Sequence, residues 1–166
     1  MRKSEKKRFT AAWLFTLAMT AAPSFALEPA KVIGSIQVYE TDKPFKDVRD
    51  AILNAIAEEG MRVAFQAHSK HMLDRTAKDL GMKGSVYATG AEIIEFCKAD
   101  LSHKLAQANP HYISYCPFSI AVYDIKAQPG KTFISFQLPS DDIPELKSVI
   151  EMVEGIVEQG LEGDAW

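Results

Sequence analysis

The sequence predicts an α+β two-layer sandwich: an antiparallel or mixed sheet with helices on one face, in the order βαβαβαββα. Three observations lead there. Several short segments alternate apolar and polar residues with period two, as half-buried strands do. Four segments carry apolar stripes at helical spacing. The last two strand segments are joined by the short polar stretch Lys126–Lys131 (KAQPGK), a turn between antiparallel neighbours.

Lys31–Glu40 reads as the first strand, with Val32, Ile36 and Val38 among its apolar residues. Asp42 suits an N-cap and Pro44 a first turn. Phe45, Val48, Ile52 and Ala55 or Ile56 then make the stripe of a helix ending at Gly60. Met61–Ala67 is the second strand, with Val63 and Phe65 on one face. Ser69–Leu80 is a second helix, closed by Gly81. Lys83–Gly90 reads as loop, with a short strand at Val86-Tyr87 as its one ordered alternative.

Ala91–Tyr123 holds both cysteines and two of the four histidines. Ala91–Phe96 is a strand. Ala99–Ala108 is a helix with Leu101, Leu105 and Ala108 on one face, stopped by Asn109-Pro110. Ile113–Asp124 is a strand whose core face carries Cys116, Phe118, Ile120 and Val122. Thr132–Leu138 follows, with Phe133 and Phe136 at its core. Ser140–Asp142 starts the last helix; Ile143, Leu146, Ile150, Val153 and Val157 form its stripe, and Gly160 ends it.

The strand ending Glu95-Phe96-Cys97, the helix LSHKL, the Asn109-Pro110 dipeptide and the segment CPFSIAVYD together resemble the family called domain of unknown function 302. The likeness is strongest over Ala91–Asp124 and extends more loosely from about Lys31 to Leu138. Two positions depart from the common pattern. Lys98-Ala99 stands where many members have a small turn residue and proline, and Cys116 precedes Pro117 where many place a cysteine after that proline. The resemblance implies a TATA-binding-protein-like shape. The family's activity is unassigned, so the resemblance implies no reaction, cofactor or substrate.

The first 26 residues carry an address. Arg2, Lys3, Lys6, Lys7 and Arg8 precede an apolar core, Phe9–Ala22. That core has the length of a signal h-region and falls short of the roughly 20 residues of a membrane span. Ser24-Phe25-Ala26 places small residues for cleavage after Ala26. The expectation is a cleaved signal peptide over 1–26, export to the periplasm, and one mature domain over 27–166 with no membrane segment. Taking five basic residues and Glu5 from the totals of 19 basic and 22 acidic leaves 14 against 21. So acidic a chain argues against nucleic acid or an anionic membrane as partner.

There is no C-x-x-C-H, no phosphate-binding glycine loop, no nucleophile elbow and no H-E-x-x-H, and no cofactor is implied. The role predicted first is non-enzymatic: binding a small molecule or a periplasmic protein, or acting as an accessory protein. Cys97 and Cys116 admit three readings: a disulfide, separate buried thiols, or a thiol pair for redox or sulfur chemistry. A bridge would close a loop of about 20 residues, worth roughly 3 kcal/mol. Strand phase points Cys97 away from the core and Cys116 into it, unless alternation has lapsed where the strand meets the helix. His103, two residues from both Leu101 and Leu105, lies about 200° around the helix from them, on the solvated face. That argues against a metal site with the cysteines. His68 and His71 form H-x-x-H beside Met72 and Asp74, and offer two imidazoles to copper or zinc. His103, His111, Tyr112 and Tyr115 are candidates for the lining of a ligand cleft.

Overall fold

The computed structural model describes residues 28–139 and 143–163. The predicted signal segment and the predicted helix start at Ser140–Asp142 lie outside them.

The first apolar segment is a hairpin rather than one strand. Gly34, at φ +59°, and Ser35 turn the chain between β1 (Lys31–Ile33) and β2 (Ile36–Thr41), and Ile33 pairs with Ile36. Positive φ at the first residue of a two-residue loop is the geometry that closes hairpins, and glycine adopts it without strain. The observed order is therefore ββαβαβαββα.

Helix α1 (Phe45–Glu58) buries Phe45, Val48, Ile52, Ala55 and Ile56, as its stripe predicts. Asp42 is not its cap: Pro44 occupies that position, and Asp42 binds Lys131 at 2.8 Å. β3 (Val63–His68) bulges between Val63 and Phe65, so the two do not share a face. Val63 packs against the core, whereas Phe65 is 59% exposed. Helix α2 (Ser69–Ala77) follows directly.

β4 (Tyr87–Phe96) begins earlier than its apolar pattern suggests. The carboxylate of Asp124 accepts hydrogen bonds from the backbone N–H of Thr89 and Gly90, at 2.7 and 2.9 Å. A side chain thus satisfies the backbone where the β4 register is irregular. Helix α3 (Ala99–Ala108) falls where predicted. The next strand starts later than predicted, because Pro110–Tyr115 forms a 3-10 turn instead. Asn109 caps that turn by accepting from His111 N–H at 3.0 Å, and Pro110 supplies the fixed φ of its first residue.

β5 (Phe118–Ile125) and β6 (Thr132–Gln137) complete a six-stranded antiparallel sheet of order β1-β2-β6-β5-β4-β3. After a 3-10 turn at Pro144–Leu146, helix α4 (Lys147–Glu162) runs past Gly160. Gly160 is a contact point rather than a stop: a Cβ there would lie 2.3 Å from Ile52 Cδ1 of α1.

The core lies between one face of the sheet and α1, α3 and α4. Ile94, Phe96, Ile120, Val122 and Ile134 from the sheet meet Val48, Ile52, Leu105, Val153 and Ile156 from the helices. Each such side chain, fully buried, contributes about 1.5–3 kcal/mol of transfer free energy. Phe133 and Phe136 are both buried but lie on opposite faces: Phe136 stacks on Tyr39 in the core, and Phe133 on Tyr123 across the sheet.

Candidate functional site

Glu92, Ile94 and Phe96 share one face of β4, because side chains alternate along a strand. Ile94 and Phe96 enter the apolar core, and Glu92 enters the same layer as a carboxylate, 8% exposed. A buried carboxylate survives only with partners, and neighbouring elements supply three. Gln66 of β3 donates its amide N–H to Oε2. Arg49 of α1 places Nη1 3.5 Å from Oε1, and His68, at the end of β3, places Nδ1 3.3 Å from the same oxygen.

Arg49 is held from behind. Its Nε and Nη2 donate to Asp50 Oδ1 at 2.8 and 2.7 Å. Burial works against its charge, but the bonds to Asp50 and the field of Glu92 outweigh it and hold its pKa above the ordinary arginine value. Asp50 is held below the ordinary carboxylate range by the hydrogen bond from Lys46, against the opposing effect of burial and with further help from Arg49. The guanidinium carbon lies 6.0 Å from the centroid of the Phe45 ring, the outer limit of a cation–π contact.

Of these, Phe45, Arg49, Glu92 and His68 line a cleft of about 450 Å³, with His71 and Asp74 also on its surface. Gly90 lets the wall close: a Cβ at that position would lie 2.2 Å from the Phe45 ring. Asp74 is fixed by Lys70 at 2.7 Å and by the Ser85 N–H at 2.8 Å, the lysine bond first lowering its pKa. The cleft therefore combines an aromatic wall, a compensated buried charge and exposed imidazoles.

A second cavity, of about 300 Å³, opens between β5, β6 and α4, and Tyr115, Phe136, Leu146 and Val153 help line it. Among the described residues, no carboxylate, amine or imidazole lines it.

The residues singled out in the sequence fall in different places. His68 and His71 both line the cleft. Among the described residues, no group of three or more His, Cys, Asp or Glu side chains is arranged to hold a metal. Cys97 and Cys116 are bonded, with Cα atoms 6.0 Å apart, joining the β4–α3 junction to the end of the 3-10 turn. Cys116 lies just before β5 rather than within a strand, so strand alternation does not set its direction. Ser102 of α3 donates its hydroxyl to Lys98 O at 2.9 Å and lies 3.7 Å from Cys116 Sγ. Tyr115 lines the apolar cavity and meets Tyr112 edge-on at 5.8 Å. His103 and His111 are exposed and line neither cavity. Glu92, Arg49 and Gln66 escaped the sequence reading. The available signal was the alternation itself, which put a carboxylate in phase with Ile94 and Phe96.

An antiparallel sheet backed by helices, with a buried carboxylate under a polar cleft, defines a class of α+β domain. The family model of the domain of unknown function DUF302 matches residues 37–161, three quarters of the chain, and the chain belongs to that family. Among solved structures, it is similar to the crystal structure of an uncharacterized conserved DUF302 protein from Bacillus stearothermophilus. The two are 17% identical with a TM-score of 0.58, and the match covers 78% of this chain and 98% of the other. That likeness is one of fold. No curated protein matches the chain.

Proposed function

We propose that this is an exported, periplasmic, non-enzymatic binding protein whose small-ligand seat is the cleft over Glu92. The observation that carries the reading is the placement of Glu92. A buried ion pair is an expensive way to stabilise a core, and apolar residues of similar volume often do as well or better. A charge kept under an open cleft is of use to something that enters the cleft. The carboxylate of Glu92 on the cleft surface suits a ligand that donates a hydrogen bond, and Phe45 offers a surface to its apolar part. Export is supported by the basic and apolar N-terminal pattern and by the Cys97–Cys116 bond, which persists in an oxidising compartment.

The test is a screen of small amines, amides and hydroxylated molecules followed by two-dimensional NMR. Binders should shift the signals of Gly90, Glu92 and His68. Binders that shift only the apolar cavity around Tyr115 and Leu146 would place the seat elsewhere, and the absence of binders would remove it.

The His68–Glu92 contact favours a second reading, a copper or zinc carrier. A carboxylate at Nδ1 leaves Nε2 to ligate, as carboxylates that accept from the other ring nitrogen do for metal-bound histidines. Calorimetry with each ion, on the native chain and on His71→Ala, separates the two: no binding, or equal binding by both, removes the carrier.

A further inference from the structure

Strands β5 and β6 pair from Asp124↔Thr132 to Ala121↔Ser135, and the pairing stops there. Two residues further along each strand, Ser119 and Gln137 would be the next such pair. Both strands are still held there by their outer neighbours: Phe96 of β4 pairs with Phe118, and Ile36 of β2 with Gln137. The sheet is therefore split in its interior, not frayed at a margin. The cavity of about 300 Å³ occupies the split. Ser119 and Gln137, both exposed, line it together with the core residues Phe118 and Phe136, and α4 closes its inner end with Leu146 before it and Val153 within it.

Backbone direction decides what the split presents. Leu138 N–H donates to Ser35 O at 2.7 Å, toward β2. Successive residues of an antiparallel strand turn their N–H and C=O to alternate neighbours. Gln137 therefore turns its own toward β5, and Ser119, opposite, turns toward β6. With the ladder open, the N–H of Gln137 and the C=O of Ser119 are not joined by it. Backbone polar groups in native proteins almost always find partners, so a donor and an acceptor facing one slot suit a molecule that carries both.

We infer that the split seats a small uncharged amide with an apolar branch. A trans amide points its C=O and its N–H in opposite directions, the one toward Gln137 N–H and the other toward Ser119 C=O. The branch enters among Phe118, Phe136 and Val153. A dry apolar cavity of about 150 Å³ takes up benzene, so the volume suffices. No charged side chain lines the slot among the described residues, and a charged ligand would lose its hydration there without compensation. An added polypeptide strand needs a run of open backbone groups. The next slot-facing residue on each strand is a proline, Pro117 and Pro139, which has no N–H.

Residue-resolved amide hydrogen exchange on the exported protein, with N-isobutylacetamide as probe, tests this. In the free protein, Gln137 should exchange much faster than Phe136 and Leu138, which bond toward β2. The probe at about ten times its Kd should slow Gln137 about tenfold and shift Leu146 and Val153. Isobutyl acetate, which lacks the N–H, should bind about tenfold more weakly, and the cation isobutylamine should not bind. A Gln137 amide as protected in the free protein as Phe136 and Leu138 overturns the inference. So does equal binding of the ester or of the amine, or no binding up to the solubility of the amide. Tighter binding of a longer capped apolar peptide would make the occupant a polypeptide and overturn it too. The slot shares no lining residue with the cleft over Glu92, where binding is read at Gly90, Glu92 and His68, so each site stands or falls without the other.

Discussion

Nδ1 of His68 lies 3.3 Å from Oε1 of Glu92, its register partner across β3 and β4. The pair joins a buried strand position to the 63%-exposed imidazole at the start of α2. Glu92 therefore acts in two directions. It answers Arg49 and Gln66 inside, and it orients His68 at the cleft surface.

Replacing Glu92 with Leu should destabilise the fold by about 1–3 kcal/mol, less than the 3–5 kcal/mol typical of a broken buried pair. Arg49 keeps its bonds to Asp50, so its charge is not orphaned. Combining Glu92→Leu with Arg49→Met should recover most of the loss. Urea denaturation of the two variants checks this, and a double variant no better than the single one would show that the pair is not the coupled unit.

Reducing the Cys97–Cys116 bond should lower stability by about 3 kcal/mol without abolishing the fold, because the sequence separation of 19 sets a short closed loop. The core layers against α1 and α4 remain without it. Urea midpoints with and without a reductant measure the effect. Two reactive thiols in unreduced protein would contradict the bond.

Gly160→Ala should destabilise although alanine favours helix. The helical gain is about 1 kcal/mol, while overpacking against Ile52 costs about 1–3 kcal/mol. Ile52→Val in the same chain should relieve the clash. Thermal unfolding of the single and double variants decides the sign.

Tyr39 predicts an alkaline transition. Burial first, then the charges of Glu154 and Glu28, push its pKa up to about 12 from 10. The folded state thus holds the phenol proton more tightly than the unfolded chain. The stability this contributes is full below pH 10 and is lost as pH rises toward 12. Tyr39→Phe should flatten that part of the stability profile. An equal slope in both proteins would mean that the phenol ionises as freely in the fold as outside it.

Much of the fold was legible because the helices announce themselves. The stripe of α1 follows from spacing alone, and α3 falls on its predicted bounds with Leu101 and Leu105 buried but Ala108 exposed. In α4, Val153 and Val157 are buried as their spacing implies, whereas Val149 and Ile156 are buried in place of the half-buried Ile150, and Ile143 and Leu146 precede the helix. What was missed turns on local chemistry that apolar pattern does not carry. Gly34 splits a strand into a hairpin, the Asp124 carboxylate extends β4, and the Asn109 cap delays β5. The cleft was half legible. The H-x-x-H of His68 and His71 marked its rim, but its interior joins α1, β3 and β4, which only the assembled sheet brings together. The partnership of Cys97 with Cys116 was one of three open readings, because strand phase opposes it unless the 3-10 turn takes Cys116 out of the strand, as it does here.

The claim that the cleft over Glu92 holds a small ligand is tested most directly by native mass spectrometry of the exported protein, purified without denaturation beside its Glu92→Leu variant. The account predicts a non-covalent adduct on the native chain, released on unfolding and absent from the folded variant. A bare native chain, or the same adduct on both proteins, would contradict it.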